Sequence, residues 1–171
     1  MTKKYSINFS IPKRSKNSIK FIIIHYTGMN NQSKAIRRLC KLNSKVSAHY
    51  FIKNDGKLLN FVPDLYEAWH AGKSRWKNFK SLNKYSIGIE INNPGHGNRY
   101  LEFKYKQIFT LKKLLKELIR KYKIKKYNIQ NIYFLDKFSV VSKSYSDFAE
   151  YGAEVRLETS HLSWKTTSTR P

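Results

Sequence analysis

The sequence predicts an α/β domain with a central mixed β-sheet flanked by helices, followed by an atypical C-terminal tail. Three observations carry this. Strand-like apolar runs alternate with helix-spaced ones between residues 18 and 131. One pair of β-rich runs flanks a turn signal, Asn54-Asp55-Gly56. A chain of 171 residues is also long enough to bury a single core without disulfides or a structural metal.

The elements follow in order. "FIIIHY", residues 21–26, is a continuous apolar run suited to a strand covered on both faces. Residues 31–42 place Ala35, Ile36, Leu39, Cys40 and Leu42 at helical spacing among charges, with Ser33 as the expected N-cap. "AHYFIKNDGKLLNFVP" predicts a hairpin in which Asp-Gly supplies the positive φ angles of a tight turn. "YSIGIEINN" predicts a strand with Ile87, Ile89 and Ile91 on one face and Gly88 and Glu90 on the other. Residues 105–123 carry Ile108, Leu111, Leu114, Leu115, Leu118, Ile119 and Tyr122 on one side of the longest helix. "NIYFL" then resumes as a strand.

Charge and vocabulary change near residue 131. Residues 1–131 hold 29 Lys and Arg against 6 Asp and Glu, and residues 132–171 hold 5 of each, so the whole net charge of +23 sits in the first segment. Fifteen isoleucines precede the seam and only Ile132 follows it, while Ser and Thr fill 11 of the last 40 positions. Residues 1–131 therefore read as the domain. Residues 132–171 read as a flexible Ser/Thr-rich extension, a fused segment or the product of a shifted reading frame. The basic excess biases the chain toward polyanions, or reflects drift of an AT-rich genome toward Lys, Ile and Asn. Cys40, the lone cysteine, forms no internal disulfide and reads as a small apolar helix residue. The basic N-terminus lacks the apolar core of about 7–15 residues that a signal peptide needs, and no run approaches the ~20 residues of a membrane span.

Four residues or pairs invite a chemical reading. His25 closes the first strand, at the carboxyl end where α/β folds place ligands, or is a histidine hydrogen-bonded at a strand end. His49 alternates with Tyr50 in a strand and suits either a site or a satisfied interior position. Trp69 and His70, in "AWHAG", suit an aromatic wall for a sugar or peptide, or a surface turn with the indole tucked inward. Glu90 interrupts an isoleucine strand. Its unpaired burial would cost several kcal/mol, so it must face water, a cation or a reacting group, and as a strand-borne carboxylate it suits a general base. His96, in "NPGHGN", is assigned no role.

"FIIIHYTG", "VSAHYFIKNDGKLLNFVPDLYEAWHAG" and "YSIGIEINN", in this order over roughly residues 18–131, resemble the zinc-dependent N-acetylmuramoyl-L-alanine amidases. That group includes anhydro-muropeptide amidases, phage lysozymes and peptidoglycan-recognition proteins. The resemblance implies a mixed sheet with flanking helices. It also implies cleavage of the amide joining the lactyl group of N-acetylmuramic acid to L-alanine, with peptidoglycan or a muropeptide as partner. His25 stands where the family places its first zinc ligand, Glu90 where it keeps the carboxylate assisting the zinc-bound water, and Trp69 and His70 in its substrate groove with His49 and Tyr50 nearby.

The resemblance stops near the seam. The family continues with Gly-His-Ser-Asp-Ile-Ala-Pro and then a Lys and an Asp, which supply two further zinc ligands; here Asp136 and Lys137 take the Gly-His slots. Catalytic zinc uses about three protein ligands plus water. The expectation is therefore weak or absent zinc binding and very low amidase activity, with His161, Asp136 or Asp147 as substitutes only if the tail folds back. A non-catalytic muropeptide binder is the alternative. A basic nucleic-acid-binding protein is a third reading, which no helix-turn-helix, zinc-finger or RNP-type motif supports. The expected setting is a cytoplasmic monomer acting on imported wall fragments, or a phage-encoded lysin released by another route.

Overall fold

A computed structural model describes residues 2–95, 101–135 and 139–144, the side chains of residues 2–3, 131–135 and 139–144 excepted. In chain order the elements are β1 (Thr2–Lys3), β2 (Phe9–Ser10), β3 (Phe21–Tyr26), α1 (Gln32–Cys40), β4 (Tyr50–Ile52), β5 (Leu58–Asn60), β6 (Glu67–Ala68), β7 (Arg75–Trp76), β8 (Phe79–Lys80), β9 (Ser86–Ile91), α2 (Tyr105–Tyr122), β10 (Ile129–Leu135) and β11 (Ser139–Ser144). Seven strands form the central sheet in the order β1-β5-β4-β9-β3-β10-β11, and β2-β6 and β7-β8 are short ribbons beside it. β4, β9, β3 and β10 run parallel, while β5 and β11 join as antiparallel neighbours, which makes the sheet mixed. β10 runs without a break across residue 131.

The two faces of this sheet differ in chemistry because strand side chains alternate. Ile22 and Ile24 of β3, Tyr50 and Ile52 of β4, and Ile87, Ile89 and Ile91 of β9 face α2. There they pack on Leu111, Leu114, Leu115, Leu118 and Tyr122. The helix reads as apolar at that spacing for this reason. The opposite face holds Phe51 and Phe61 against Ala35, Ile36 and Leu39 of α1, and Phe21 and Ile23 against Leu82. Between those two apolar patches the same face presents His25, Gly88 and Glu90, and the functional cleft forms over them.

Local signals were followed with two differences. The cap of α1 is Asn31, whose side chain accepts from the Lys34 N–H at 2.9 Å, two residues earlier than Ser33. In the hairpin only Gly56 takes a positive φ, +80°. Lys53 N–H bonds the Lys57 carbonyl and Gly56 N–H the Lys53 carbonyl, a three-residue loop ending on a glycine bulge. No described helix is long and apolar enough to cross a membrane. Cys40 is a free, half-buried thiol. His96, Asp136, Lys137, Asp147, His161 and residues 145–171 lie outside the described residues.

Candidate functional site

β3 and β9 carry His25 and Glu90 as register partners on adjacent parallel strands, so both side chains leave the sheet on one face. Two residues before Glu90 on that face stands Gly88, and a Cβ there would run into the ring of His70. The glycine leaves a slot in which an imidazole from the loop after β6 lies flat on the sheet. Asn83 holds that loop, its Oδ1 accepting from the N–H groups of His70 at 3.2 Å and Ala71 at 2.8 Å. Trp69 is tethered at both ends: its backbone N–H donates to Ser47 Oγ and its indole N–H to Ser10 Oγ, each at 2.8 Å.

The hydrogen bonds assign the histidine tautomers. Ser86 has one hydroxyl proton and donates it to the Leu82 carbonyl at 2.6 Å, so its oxygen accepts from His70 Nε2 at 3.1 Å. A neutral His70 then presents a lone pair at Nδ1, and His25 must donate its Nε2–H across the 3.0 Å between them. The lone pair of His25 is left at Nδ1. His49 is assigned independently. Its Nδ1 accepts from the Gly88 N–H at 2.9 Å, so Nε2 carries the proton and donates to the Tyr66 carbonyl at 3.0 Å.

Neutrality of all three rings follows from their surroundings. Burial lowers His25 to about 4, burial and then the Arg14 charge lower His49 to about 3, and burial followed by its His25 and His49 neighbours lowers His70 well below its usual value. Arg14 Nη2 lies 3.1 Å from His49 Nε2, a contact of two donors, so the guanidinium opposes a charge on the ring without bonding it. The carbonyls of Asn83 and Ser86, each 2.8 Å from Nη1, and of Asp64, 2.5 Å from Nη2, hold Arg14 instead.

Glu90 borders a cleft of about 330 Å³ with Tyr26, Thr27, Arg38, Trp69 and His70, large enough for a small ligand. Burial pushes its carboxyl up to about 8, against the pull of Arg38, and Oε2 has no hydrogen-bond partner among the described residues. Such a group holds its proton near neutrality and gives it up to a basic partner, which is the behaviour of a general acid/base carboxyl.

The structure thus brings together His25, His70, Trp69 and Glu90. His25 is 1% exposed and meets the cleft through Glu90 and His70. His49 lies beneath, fully buried, and serves to join β4 to β9 and to face Arg14. Tyr50 is turned to the α2 face, where its hydroxyl donates to Asp64 Oδ1 at 2.5 Å, so it does not border the cleft; the one-residue alternation with His49 already separates the two. Sequence reasoning did not single out Arg14, Arg38, Ser47, Asn83 or Ser86. Their roles depend on loops meeting a strand they are distant from in the chain, and no local pattern marks that.

The described residues do not suit a catalytic zinc by themselves. Among them no group of three His, Cys, Asp or Glu side chains is arranged around one point. His25 spends Nε2 on His70, which leaves one imidazole lone pair and the Glu90 carboxyl, short of the roughly three ligands such a metal uses.

Comparison with known proteins adds a family match, two relatives and two solved structures. The family model of N-acetylmuramoyl-L-alanine amidases matches residues 15–147. N-acetylmuramoyl-L-alanine amidase AmiD of Escherichia coli (strain K12) is 38% identical over 124 residues, 65% of this chain and 44% of that protein. The 1,6-anhydro-N-acetylmuramyl-L-alanine amidase AmpD of the same strain is 35% identical over 71 residues, 42% of this chain and 38% of the relative. Among solved structures, the E. coli AmiD complex with the substrate anhydro-N-acetylmuramic acid-L-Ala-D-gamma-Glu-L-Lys superposes with a TM-score of 0.62 at 30% identity, covering 71% of this chain and 51% of that one. AmpDh3 from Pseudomonas aeruginosa gives 0.62 at 27%, covering 71% and 52%. The chain spans less than half the length of these two relatives.

Proposed function

We propose, from the premise that this chain belongs to the N-acetylmuramoyl-L-alanine amidase family, that its cleft takes the muramyl-L-alanine end of peptidoglycan or of a muropeptide. The bond addressed is the lactyl amide, and Glu90 is the group that handles protons there. The observation that carries this is the pairing of His25 with Glu90 on one face of adjacent strands, with the Glu90 carboxyl buried, unpartnered at Oε2 and open to the cleft.

The chemistry of this chain's own residues is limited and specific. Amide hydrolysis needs a proton removed from the attacking water and one delivered to the departing amine nitrogen. A single carboxyl titrating near neutrality does both in turn, as base and then as acid. Trp69, anchored at both N–H groups, offers a fixed aromatic edge for a sugar or peptide, and Arg38 places a cation across the cleft for a substrate carboxylate. His70, fixed by Asn83 and Ser86, holds His25 in one tautomer. Family members use zinc to polarise the amide and activate water. Here the described residues fall short of a ligand set, and any completion would come from residues such as Asp136, Asp147 or His161. The reading is therefore of a muropeptide-binding cleft with slow hydrolysis as the chain stands, and zinc held weakly.

The ligand shortfall favours one second reading, a muropeptide binder without turnover. Calorimetric titration of purified protein with anhydro-N-acetylmuramyl-L-alanyl-γ-D-glutamyl-L-lysine, alongside mass-spectrometric detection of the released peptide and elemental analysis for zinc, separates the cases. Binding with slow release supports the proposal, and binding with no release supports the second reading. Stoichiometric zinc with rapid turnover overturns the low-activity claim, and absence of binding overturns the substrate assignment.

A further inference from the structure

Residues 6–14 precede the first motif strand and lie before the family match, which begins at residue 15, so neither assigns them a role. Their burial runs against their polarity. Ser6 and Asn8 are buried, at 2% and 0% exposure, while Ile7 and Ile11 face outward at 58% and 76%. A segment that merely covered apolar surface would do the reverse. Phe9 does cover such surface, packing edge-on against Tyr66 with 5.0 Å between ring centres, but the polar groups turned inward need another reason.

Those groups end on two residues that wall the cleft. Ser10 Oγ accepts the indole N–H of Trp69 at 2.8 Å, and β2 reaches it by pairing with β6, just ahead of Trp69 in the chain. Ser47 Oγ, which accepts the Trp69 backbone N–H, has one proton and donates it to the Asn8 carbonyl at 2.5 Å. Asn8 is fixed in turn by its side-chain amide, which donates to the carbonyls of Lys41 at 2.9 Å and Val46 at 3.0 Å. Arg14 serves His70. Its Nη1 donates to the Asn83 and Ser86 carbonyls, each at 2.8 Å. These are the two residues whose side chains seat His70, Asn83 at the backbone N–H and Ser86 at ring Nε2.

A basic side chain at the end of a short helical turn is common, because the last carbonyls there lack partners. That accounts for the bond to Asn83, in the turn Leu82–Tyr85. It does not account for the rest. Arg14 meets His49 Nε2 donor to donor at 3.1 Å, and among the described residues it makes no ion pair and leaves Nε without a partner. A charge buried on these terms costs free energy. What the fold gains is one planar fork that holds the Asn83 and Ser86 carbonyls at a fixed separation. We propose that residues 8–14 are a positioning strap for the cleft, with Asn8 and Ser10 fixing the Trp69 indole and Arg14 fixing the His70 imidazole. None of the three borders the cleft, so each acts through the side chain it holds. The benefit to muropeptide binding rests on the function proposed above, and the positioning does not.

The test uses the full chain. Arg14→Lys keeps the charge and removes the fork, and nitrogen-15 NMR is expected to show His70 pass from a single Nε2–H form to a mixture with Nδ1–H. Ser10→Ala is expected to shift the Trp69 indole N–H resonance and speed its exchange with solvent, while that of Trp76 stays in place. Both variants are expected to bind the muropeptide about two- to tenfold more weakly in calorimetric titration, the range for one side chain that must be fixed on binding. Two controls separate positioning from a general loss of stability. Lys13→Gln removes an exposed charge from the strap itself, and Ile124→Val trims a buried side chain on the α2 face. Both are expected to keep the NMR signatures and the affinity of the parent, the second although it lowers stability. Signatures that move as far in Ile124→Val as in Arg14→Lys overturn the proposal. A folded Arg14→Lys protein with His70 unchanged overturns the role of Arg14, and an unmoved Trp69 indole in Ser10→Ala overturns that of Ser10. Ser10→Ala deletes one half-buried hydroxyl, so it tests the strap even where Arg14→Lys does not fold. Signatures that move while affinity holds overturn the strap's part in binding. If they move as expected and the parent binds no muropeptide, the cleft reading fails and the strap stands.

Discussion

Replacing Glu90 by glutamine tests the burial of the one carboxyl on which the cleft depends. Burial raises its pKa from 4.5 to about 8, so between those values the folded chain keeps a proton that the unfolded chain has released. The unfolded state then binds fewer protons, and stability falls as pH rises through this window, by about 1.4 kcal/mol per unit. Integrated to pH 7, the cost reaches up to about 3 kcal/mol, fully relieved below pH 4.5 and growing no further above about 8. Glutamine has the shape of the protonated acid and no ionisation, so Glu90→Gln should be as stable as the parent at pH 4.5 and up to about 3 kcal/mol more stable at pH 7. Urea denaturation of both proteins across the window, in chelator so that no metal enters the linkage, reads the difference directly. A constant offset between the two curves would refute the buried-acid account. The same substitution should abolish whatever peptide release the parent shows, which separates a catalytic carboxyl from one that is merely tolerated.

Four further outcomes are expected. Any peptide release by the parent should increase with pH toward about 8, as Glu90 becomes the ionised base; a flat kcat/KM profile over that range would remove Glu90 from proton transfer. Gly88→Ala should destabilise the fold by about 1–3 kcal/mol in chemical denaturation, because its Cβ takes the space of the His70 ring. Nitrogen-15 NMR at pH 7 should show His25, His49 and His70 neutral with the proton on Nε2, and an Nδ1–H form of His25 would break the chain assigned through Ser86. Asp64→Asn should cost about 2–4 kcal/mol near neutrality. Burial alone would raise the Asp64 pKa, and bonds from Lys121, Tyr122 and Tyr50 outweigh it to leave the carboxylate below its usual value; that contribution is lost as pH falls through the lowered pKa.

The elements of the fold were legible where one physical rule decided them. The strand at residues 21–26, the face alternation in β9 and the apolar stripe of α2 depend only on period and burial, and the structure follows each. His25 and Glu90 were legible because polar groups interrupting isoleucine strands demand a reason. His49 and Tyr50 show the limit: adjacent in a strand, they could not both face one cleft, yet a motif names them together. The cap of α1 shifted from Ser33 to Asn31 because both have capping side chains and only the three-dimensional entry angle chooses. Arg14 was invisible, since its partners are the backbone carbonyls of Asp64, Asn83 and Ser86, and carbonyls leave no trace in residue identity.

Stability and chemistry are divided between the faces of this sheet. On the α2 face β3, β4, β9 and β10 contribute aliphatic or aromatic side chains, and the carboxylate buried beside them, Asp64, is answered by three donors. On the other face the chain buries three imidazoles and a carboxyl with one oxygen unpartnered among the described residues, each costing free energy that the α2 face must offset. A core selected for stability alone would have replaced Glu90 with another isoleucine, continuing the pattern of Ile87, Ile89 and Ile91 on both sides of the strand. Gly88 sharpens the point. It gives up side-chain packing at the sheet's centre solely to admit the His70 ring, so the strand is weakened twice within three residues to assemble one polar constellation. That cost survives only where the constellation is used, and the muropeptide titration decides whether the use includes turnover or ends at binding.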